Sequence, residues 1–348
     1  MRRKRKGAFL RDQRAMIWKG IGVLCGCMVW AGVILAVGFR GSGGRMQTPK
    51  EIWLYDHREE SDGMMDPSDG EAKLQEIPSE IMDDLYSPYG VLIDGTSGEV
   101  LAGRYSQDRI YPASMTKMMT AIVALENTDD WEERIVLPTE IYGVLYAEHA
   151  SVAGFEAGEK VLPMDMLYGM LLPSGAECCL GYAWQLAGNE KNFVEWMNEK
   201  ADALEMTGTH FANTTGLPDE DHYSTVEDMA VLLRYCLQNE SFREILTAQS
   251  HRTAPTNVHP KGLDFTSTLL GRLEGGKQVK GAQILGGKTG YTSKAGLCLA
   301  SVARIGDREY ILVTAGAPGT NYAETYHSED AVAVYGRLAE FLEGSDLG

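Results

Sequence analysis

Apolar and polar residues follow four regimes along this chain. Residues 1–20 are polar and basic, and residues 21–39 carry no charge at all. At about 1.5 Å per residue, a helix over 21–39 spans roughly 28 Å, close to the ~30 Å core of a bilayer. Residues 40–84 are rich in acids, Gly, Pro and Ser and show no hydrophobic period. Gly41-Ser42-Gly43-Gly44 opens this stretch and Asp66-Pro67-Ser68-Asp69-Gly70 lies within it. Such a composition predicts a flexible linker. Periodicity then resumes and predicts a folded body over 85–348.

Within the body, 90–94 reads as a strand, Gly95-Thr96-Ser97-Gly98 as a turn, and 99–102 as the returning strand. An apolar helical run follows at 112–126. Further helices are predicted at 163–172, 176–187, 190–203 and 225–238. Residues 295–305 and 309–315 alternate as strands, with Gly306-Asp307 at the turn between them. The stretch 328–343 reads as a last amphipathic helix, and no internal repeat is present. Strands, a helical middle, more strands and a final helix predict an antiparallel sheet with helices packed on it, an α/β (α+β) fold class.

Charge sharpens the division at the N-terminus. The chain of 348 residues has 32 Lys and Arg against 49 Asp and Glu, a formal charge of -17. Eight of the basic residues and only Asp12 among the acids fall in 1–20, which leaves 24 basic and 48 acidic residues in 21–348. An acidic body excludes nucleic acid as its partner. The basic block ahead of the apolar span predicts a cytoplasmic segment 1–20, a transmembrane signal anchor 21–39 and an exported body. The alternative is a cleaved signal with Ala36-Val37-Gly38 at the cut, followed by secretion. The apolar region of a signal peptide is commonly about 7–15 residues, shorter than this span. Six cysteines are present: Cys25 and Cys27 in the span, the neighbours Cys178 and Cys179, and the singles Cys236 and Cys298. No CxxC pair occurs, so neither a zinc ribbon nor a disulfide framework is expected.

Three short motifs carry the chemistry. Ser114 opens the helix predicted from Pro112, where unpaired N–H groups and the helix dipole favour developing negative charge. Lys117, three residues on, shares its face. A serine needs an adjacent base to act as a nucleophile. A lysine, with a usual pKa of about 10.4, serves as that base only if burial and a second cation lower it. Lys288 is the candidate second cation. It belongs to Gly286-Gly287-Lys288-Thr289-Gly290-Tyr291-Thr292, where small residues beside a strand let a ligand approach the backbone. Thr289 offers a hydroxyl to a terminal carboxylate, and Ser174 is placed to relay protons. His210 and His222 lack the HExxH or other tight spacing of a metal site, so no metal is expected.

Residues 111–120, Met170-Leu171-Leu172-Pro173-Ser174-Gly175, 208–218 and the stretch from Lys288 to Leu299 resemble, in this order, the serine D-alanyl-D-alanine carboxypeptidases of the penicillin-binding family. The resemblance runs over about 85–318. It implies a penicillin-binding/β-lactamase-like transpeptidase fold with a helical subdomain carrying Ser174. It implies Ser114 as nucleophile, Lys117 as base, Ser174 and Lys288 as relay, and Thr289, Gly290 and Tyr291 at the substrate. The backbone N–H groups of Ser114 and Tyr291 would form the oxyanion hole. The implied partner is a peptidoglycan stem peptide ending in D-Ala-D-Ala, with β-lactams as inhibitors and no cofactor. The implied location is a bacterial cell membrane, with the catalytic domain outside. Two departures stand out. Ala176 replaces the family's usual Asn, and 311–334 contains no Lys or Arg where an Arg commonly assists the substrate carboxylate. Ala176 motivates an alternative, a catalytically weak peptidoglycan-binding or β-lactam-sensing module. A β-lactamase-like hydrolase is a further alternative, although neither Glu-x-x-Leu-Asn nor Ser-Asp-Asn occurs.

Overall fold

The computed structural model describes residues 77–273, 278–320 and 324–345. The chain enters through a 3-10 turn, Ser79–Met82, and forms the hairpin β1 (Tyr89–Asp94) and β2 (Val100–Arg104). A second 3-10 turn, Ala113–Thr116, runs into α1 (Lys117–Glu126). The helical middle follows: β3 (Ile135–Val136), α2 (Glu140–Ala147), β4 (Lys160–Val161), α3 (Pro163–Leu171), α4 (Ala176–Ala187), α5 (Glu190–Ala203), α6 (Val226–Cys236) and α7 (Glu240–Thr247). Two short strands, β5 (Ser250–Arg252) and β6 (Asp264–Thr266), lead to β7 (Gln278–Val279) and β8 (Ala282–Thr292). β9 (Gly296–Ile305), β10 (Arg308–Ala317) and α8 (Tyr326–Ser345) complete it.

Helix boundaries follow local chemistry. Pro163 occupies the first turn of α3, where its missing N–H costs nothing. Asn189, Thr225 and Asn239 cap α5, α6 and α7, each side chain accepting from the N–H three residues on. Gly188 ends α4 in the left-handed region at φ 76°.

The main sheet is antiparallel with strand order β2-β1-β10-β9-β8-β7. Both faces are covered, and strand alternation sorts residues between them. Val91, Ile93, Val302, Ile311 and Val313 join a core with α1 and the helical middle. Leu92, Leu299, Ala303 and Leu312 join a second core with Val334, Tyr335 and Leu338 of α8. Burial on both faces explains why β9 and β10 read as nearly continuous apolar runs. Tyr335 fastens α8 to the sheet: its buried hydroxyl donates to Ser301 O at 3.0 Å and accepts from Leu312 N at 3.1 Å.

The folded body begins earlier than the hydrophobic pattern placed it. Residues 77–84 belong to the body and not to the linker, because Ile81 and Met82 are buried against α8. Arg337 donates to Ile81 O and Asp83 O, and Asp330 accepts from the N–H groups of Tyr86 and Ser87 at 2.8 and 2.9 Å. The expected signal anchor, the basic block and the rest of the expected linker lie outside the described residues. Among the described residues, no helix is long and apolar enough to cross a membrane. The helix expected from Pro112 begins as the 3-10 turn. Two helices, α2 and α7, were not apparent from the sequence. Each has only eight residues, too short for a full amphipathic period to stand out.

Two histidines are buried neutral. His222 accepts from Ala212 N at its Nδ1 and so donates from Nε2 to Thr116 Oγ1 at 2.7 Å. Burial lowers its pKa to about 4, and burial together with the Arg272 charge lowers His327 to about 4 as well. An unfolded histidine titrates near 6.5, so between about pH 6.5 and 4 the unfolded chain binds more protons. Stability is therefore present above pH 6.5 and falls as pH drops toward 4, by up to about 3 kcal/mol for each histidine. Urea unfolding between pH 7 and 4.5 should show this fall, and His327→Leu should remove about half of that histidine contribution. A wild-type midpoint independent of pH over this range would contradict it.

Candidate active site

The site begins where the 3-10 turn meets α1. Ser114 is half-buried and accepts a 2.8 Å hydrogen bond from Lys117 Nζ. Lys117 is 2% exposed, and its Nζ also donates to Thr215 O at 2.9 Å. A neutral amine has two N–H groups and one lone pair. As a base, the neutral amine keeps one N–H on Thr215 O and turns its lone pair to Ser114 Oγ, the 2.8 Å hydrogen bond then running from the hydroxyl to the amine. Asn213 holds that carbonyl in place through its Oδ1, which accepts from Thr215 N and Gly216 N.

The backbone at the nucleophile is unusually tight. Ala113 sits at φ 46° and Ser174 at φ 70°, the left-handed region that costs a residue bearing Cβ about 1 kcal/mol or more. Two glycines allow the Ala113–Ser114 turn to be approached closely. A Cβ on Gly216 would lie 1.8 Å from Ala113 O, and one on Gly290 would lie 3.0 Å from Ser114 N. Gly290 thus brings β8 against the amide of the nucleophile. The Lys-Thr-Gly motif lies inside β8, with Lys288, Thr289 and Gly290 paired to Ala300, Leu299 and Cys298 of β9. Tyr291 follows, paired to Leu297.

Lys288 is fully buried and donates from Nζ to Ser174 Oγ at 3.0 Å and to Thr289 O at 2.8 Å. Burial lowers the pKa of Lys117, and burial together with the Lys117 charge lowers that of Lys288 well below its usual value. Cys178 and Cys179 lie near Lys117, but burial keeps both as neutral thiols, with Cys179 pushed up to about 12. An ionised Glu177 opposes the lowering of Lys117; burial raises the Glu177 pKa, and the N–H groups of Gly154, Ala153 and Phe155 act to lower it.

Glu177 does not stand in for the missing amide at 176. It is fully buried, and its Oε1 accepts from Ala153 N at 2.6 Å, Gly154 N at 2.8 Å and Phe155 N at 3.3 Å. The carboxylate holds a loop that packs on Gly175, where an added Cβ would meet Ala153 Cβ at 2.7 Å. Ala176 is 1% exposed, and its N–H donates to Ser151 O. Thr289 shares a 2.7 Å hydroxyl contact with Thr268. The candidate histidines are occupied in holding loops together: His210 Nδ1 donates to Asp221 O, and His222 bridges Thr116 and Ala212. The four cysteines of the described residues are free and buried.

The structure thus joins Ser114 to Lys117, Ser174 to Lys288, and Gly290 to the Ser114 amide. Sequence reasoning did not find the Thr215 carbonyl, the loop-holding role of Glu177, or Thr268. A backbone carbonyl carries no residue signature. The 208–218 segment was nevertheless noticeable, and a Gly next to Thr215 was a usable hint of close approach.

A family model described as D-alanyl-D-alanine carboxypeptidase matches residues 77–319. The chain belongs to the D-alanyl-D-alanine carboxypeptidase family. It is 33% identical over 232 residues to D-alanyl-D-alanine carboxypeptidase DacF of Bacillus subtilis, covering 65% of this chain and 56% of that protein. It is 30% identical over 238 residues to D-alanyl-D-alanine carboxypeptidase DacD of Escherichia coli, covering 65% and 57%. The chain therefore spans a little over half the length of these curated relatives. The solved D-alanyl-D-alanine carboxypeptidase of Mycobacterium tuberculosis superposes with a TM-score of 0.62 at 27% identity, covering 78% of this chain and 95% of the other. The crystal structure of a Streptomyces DD-transpeptidase gives 0.64 at 25% identity, covering 73% and 98%. The fold of this carboxypeptidase family member is the penicillin-binding DD-peptidase fold, an antiparallel sheet flanked by helices.

Glu177 gives the site a testable dependence. Glu177→Gln keeps the shape and removes the charge, so Lys117 loses an interaction that raises its pKa. The acid limb of the kcat/KM profile should then move to lower pH. Glu177→Ala should lower stability by about 1–3 kcal/mol, because the 153–155 amides lose their acceptor. An acid limb unmoved in Glu177→Gln would show that the carboxylate acts only on the loop.

Proposed function

We propose that this chain is a serine D,D-carboxypeptidase that removes the terminal D-alanine from peptidoglycan stem peptides. The observation that carries the reading is the Ser114 Oγ–Lys117 Nζ contact of 2.8 Å, with the amine buried, in a member of this family. Ser114 Oγ attacks the carbonyl carbon of the penultimate D-alanine, and Lys117 Nζ takes the hydroxyl proton. The carbonyl oxygen becomes an oxyanion facing the backbone N–H groups of Ser114 and Tyr291. The C–N bond then breaks. Ser174 Oγ donates its proton to the departing amine and takes up in exchange the proton that Lys117 received from Ser114, so Lys117 is neutral again and D-alanine leaves neutralised. Water then attacks the Ser114 ester, Lys117 accepting its proton and passing it to Ser114 Oγ as the ester bond breaks, and the shortened peptide departs.

Lys288, whose proton affinity burial lowers, holds the Ser174 hydroxyl in place for this relay. Gly290 and Thr289 present the strand to the peptide, and the Thr289 hydroxyl addresses its terminal carboxylate. A β-lactam would enter the same path, because its strained amide opens onto Ser114 and its bulk stays in the cleft. The basic block and apolar span support a body held on the outer side of a bacterial membrane.

Incubation with a peptide ending in D-Ala-D-Ala should release D-alanine, and penicillin should leave a mass adduct on the Ser114 peptide. Ser114→Ala should lose both, and Lys117→Ala should slow both by at least about a thousandfold. An adduct on Ser174, or release that survives Ser114→Ala, would refute the assignment. Penicillin acylation without any D-alanine release would identify a β-lactam-sensing module instead. External protease on wall-less cells should remove the body, and full protection would contradict export.

A further inference from the structure

We infer that Thr268 is a positioning residue that aims the Thr289 hydroxyl at the terminal carboxylate of the substrate; this rests on the carboxypeptidase reading of the site. The two hydroxyl oxygens are 2.7 Å apart. Each hydroxyl has one proton and two lone pairs. A carboxylate is acceptor-only, so when it arrives Thr289 donates to it. The Thr289 oxygen then accepts the proton of Thr268. The result is a directed chain, Thr268 to Thr289 to carboxylate, in which the first bond polarises the second. Without Thr268, the Thr289 hydroxyl rotates among several orientations and part of the binding is spent on fixing one.

Thr268 is itself held between the two motif-bearing elements. Its N–H donates to Leu172 O at 3.1 Å, at the end of α3 and two residues before Ser174. Ser267 N donates to Gln249 O, and Ser267 Oγ accepts from Leu270 N. Leu269 and Leu270 are buried in the core behind β8, and Leu269 packs so close to Gly287 that a Cβ there would lie 2.8 Å away. The Thr268 hydroxyl is thus fixed relative to both Ser174 and Lys288. Thr268 and Thr289 are each only part-buried, so the pair remains open to a ligand.

The charge environment explains why a hydroxyl pair matters in this chain. Residues 311–334 contain no Lys or Arg. Lys288, next to Thr289, is turned inward to Ser174 and Thr289 O. With no Lys or Arg in 311–334 to address the terminal carboxylate, the orientation of the Thr289 hydroxyl, set by its neighbour, gains weight in recognising it.

The test compares wild type, Thr268→Val and Thr268→Ser on two peptides, one ending in D-Ala-D-Ala with a free carboxylate and one with the terminal carboxamide. Valine keeps the shape and removes the hydroxyl. For the carboxylate peptide, Thr268→Val should raise KM about threefold to tenfold with kcat within about twofold, as expected for loss of a charge-assisted contact. Thr268→Ser should restore the wild-type KM. The carboxamide peptide should not distinguish the three proteins. Equal KM for all three on the carboxylate peptide overturns the inference, as does an equal loss on both peptides, which marks a merely structural residue. Absence of D-alanine release by wild type overturns the carboxypeptidase reading and this inference with it, whereas normal release with an unaffected Thr268→Val overturns this inference alone.

Discussion

Two lysine amines are buried in one cleft, and a low-dielectric cleft does not hold two unpaired positive charges. Lys117 and Lys288 each resolve this by losing proton affinity, and each does so beside a serine hydroxyl. Lowered proton affinity beside a hydroxyl is the property that the proposed base, Lys117, and the proposed relay through Ser174 require. The remaining polar groups fit the same logic. Carbonyls of Thr215 and Thr289 accept from the amines without adding a full charge. Glu177 brings one negative charge close enough to be felt by Lys117, and three backbone amides hold its oxygen away from the amines.

Burying those amines requires a scaffold with few degrees of freedom. The sheet provides it, because both of its faces are covered and its motif strand is paired along its length with β9. Against this rigid strand the helical middle can press Ala113 and Ser114 into a conformation that open chain avoids. Gly216 and Gly290 let the neighbouring backbone come within contact of that turn, so the strain at Ala113 and Ser174 is supported from several sides. Ser114 and β8 are consequently fixed to one another before any ligand arrives, which is the pre-organisation that the proposed acyl transfer depends on.

The departure at Ala176 has a structural counterpart. A small buried side chain leaves no amide at this point, and Glu177, its neighbour, is turned to the 153–155 loop. The loop nevertheless stays against Gly175, so the second motif keeps its backbone shape while giving up one polar group. Ser174 thus retains its contact with Lys288 in a site that has lost side-chain chemistry beside it.

Much of this was legible in the chain itself. The Ser114–Lys117 spacing specifies one helical turn, so the contact between them follows from helix geometry alone. The strands β1, β2, β9 and β10 show in their alternation or apolar runs, and the longer helices in their period, because these signals are local and repeat with the backbone. What tertiary structure decided is everything that depends on distance along the chain. Lys288 meets Ser174 across 114 residues, and Lys117 meets the Thr215 carbonyl across 98. The body opens with Ile81 and Met82 because Arg337 and Asp330 of the last helix receive that segment, which no local pattern near residue 80 records. Backbone carbonyls and amides are the same at every residue, so a sequence cannot mark which of them will face a buried amine. Only the packing of α1, the 213–216 turn and β8 against one another makes that choice.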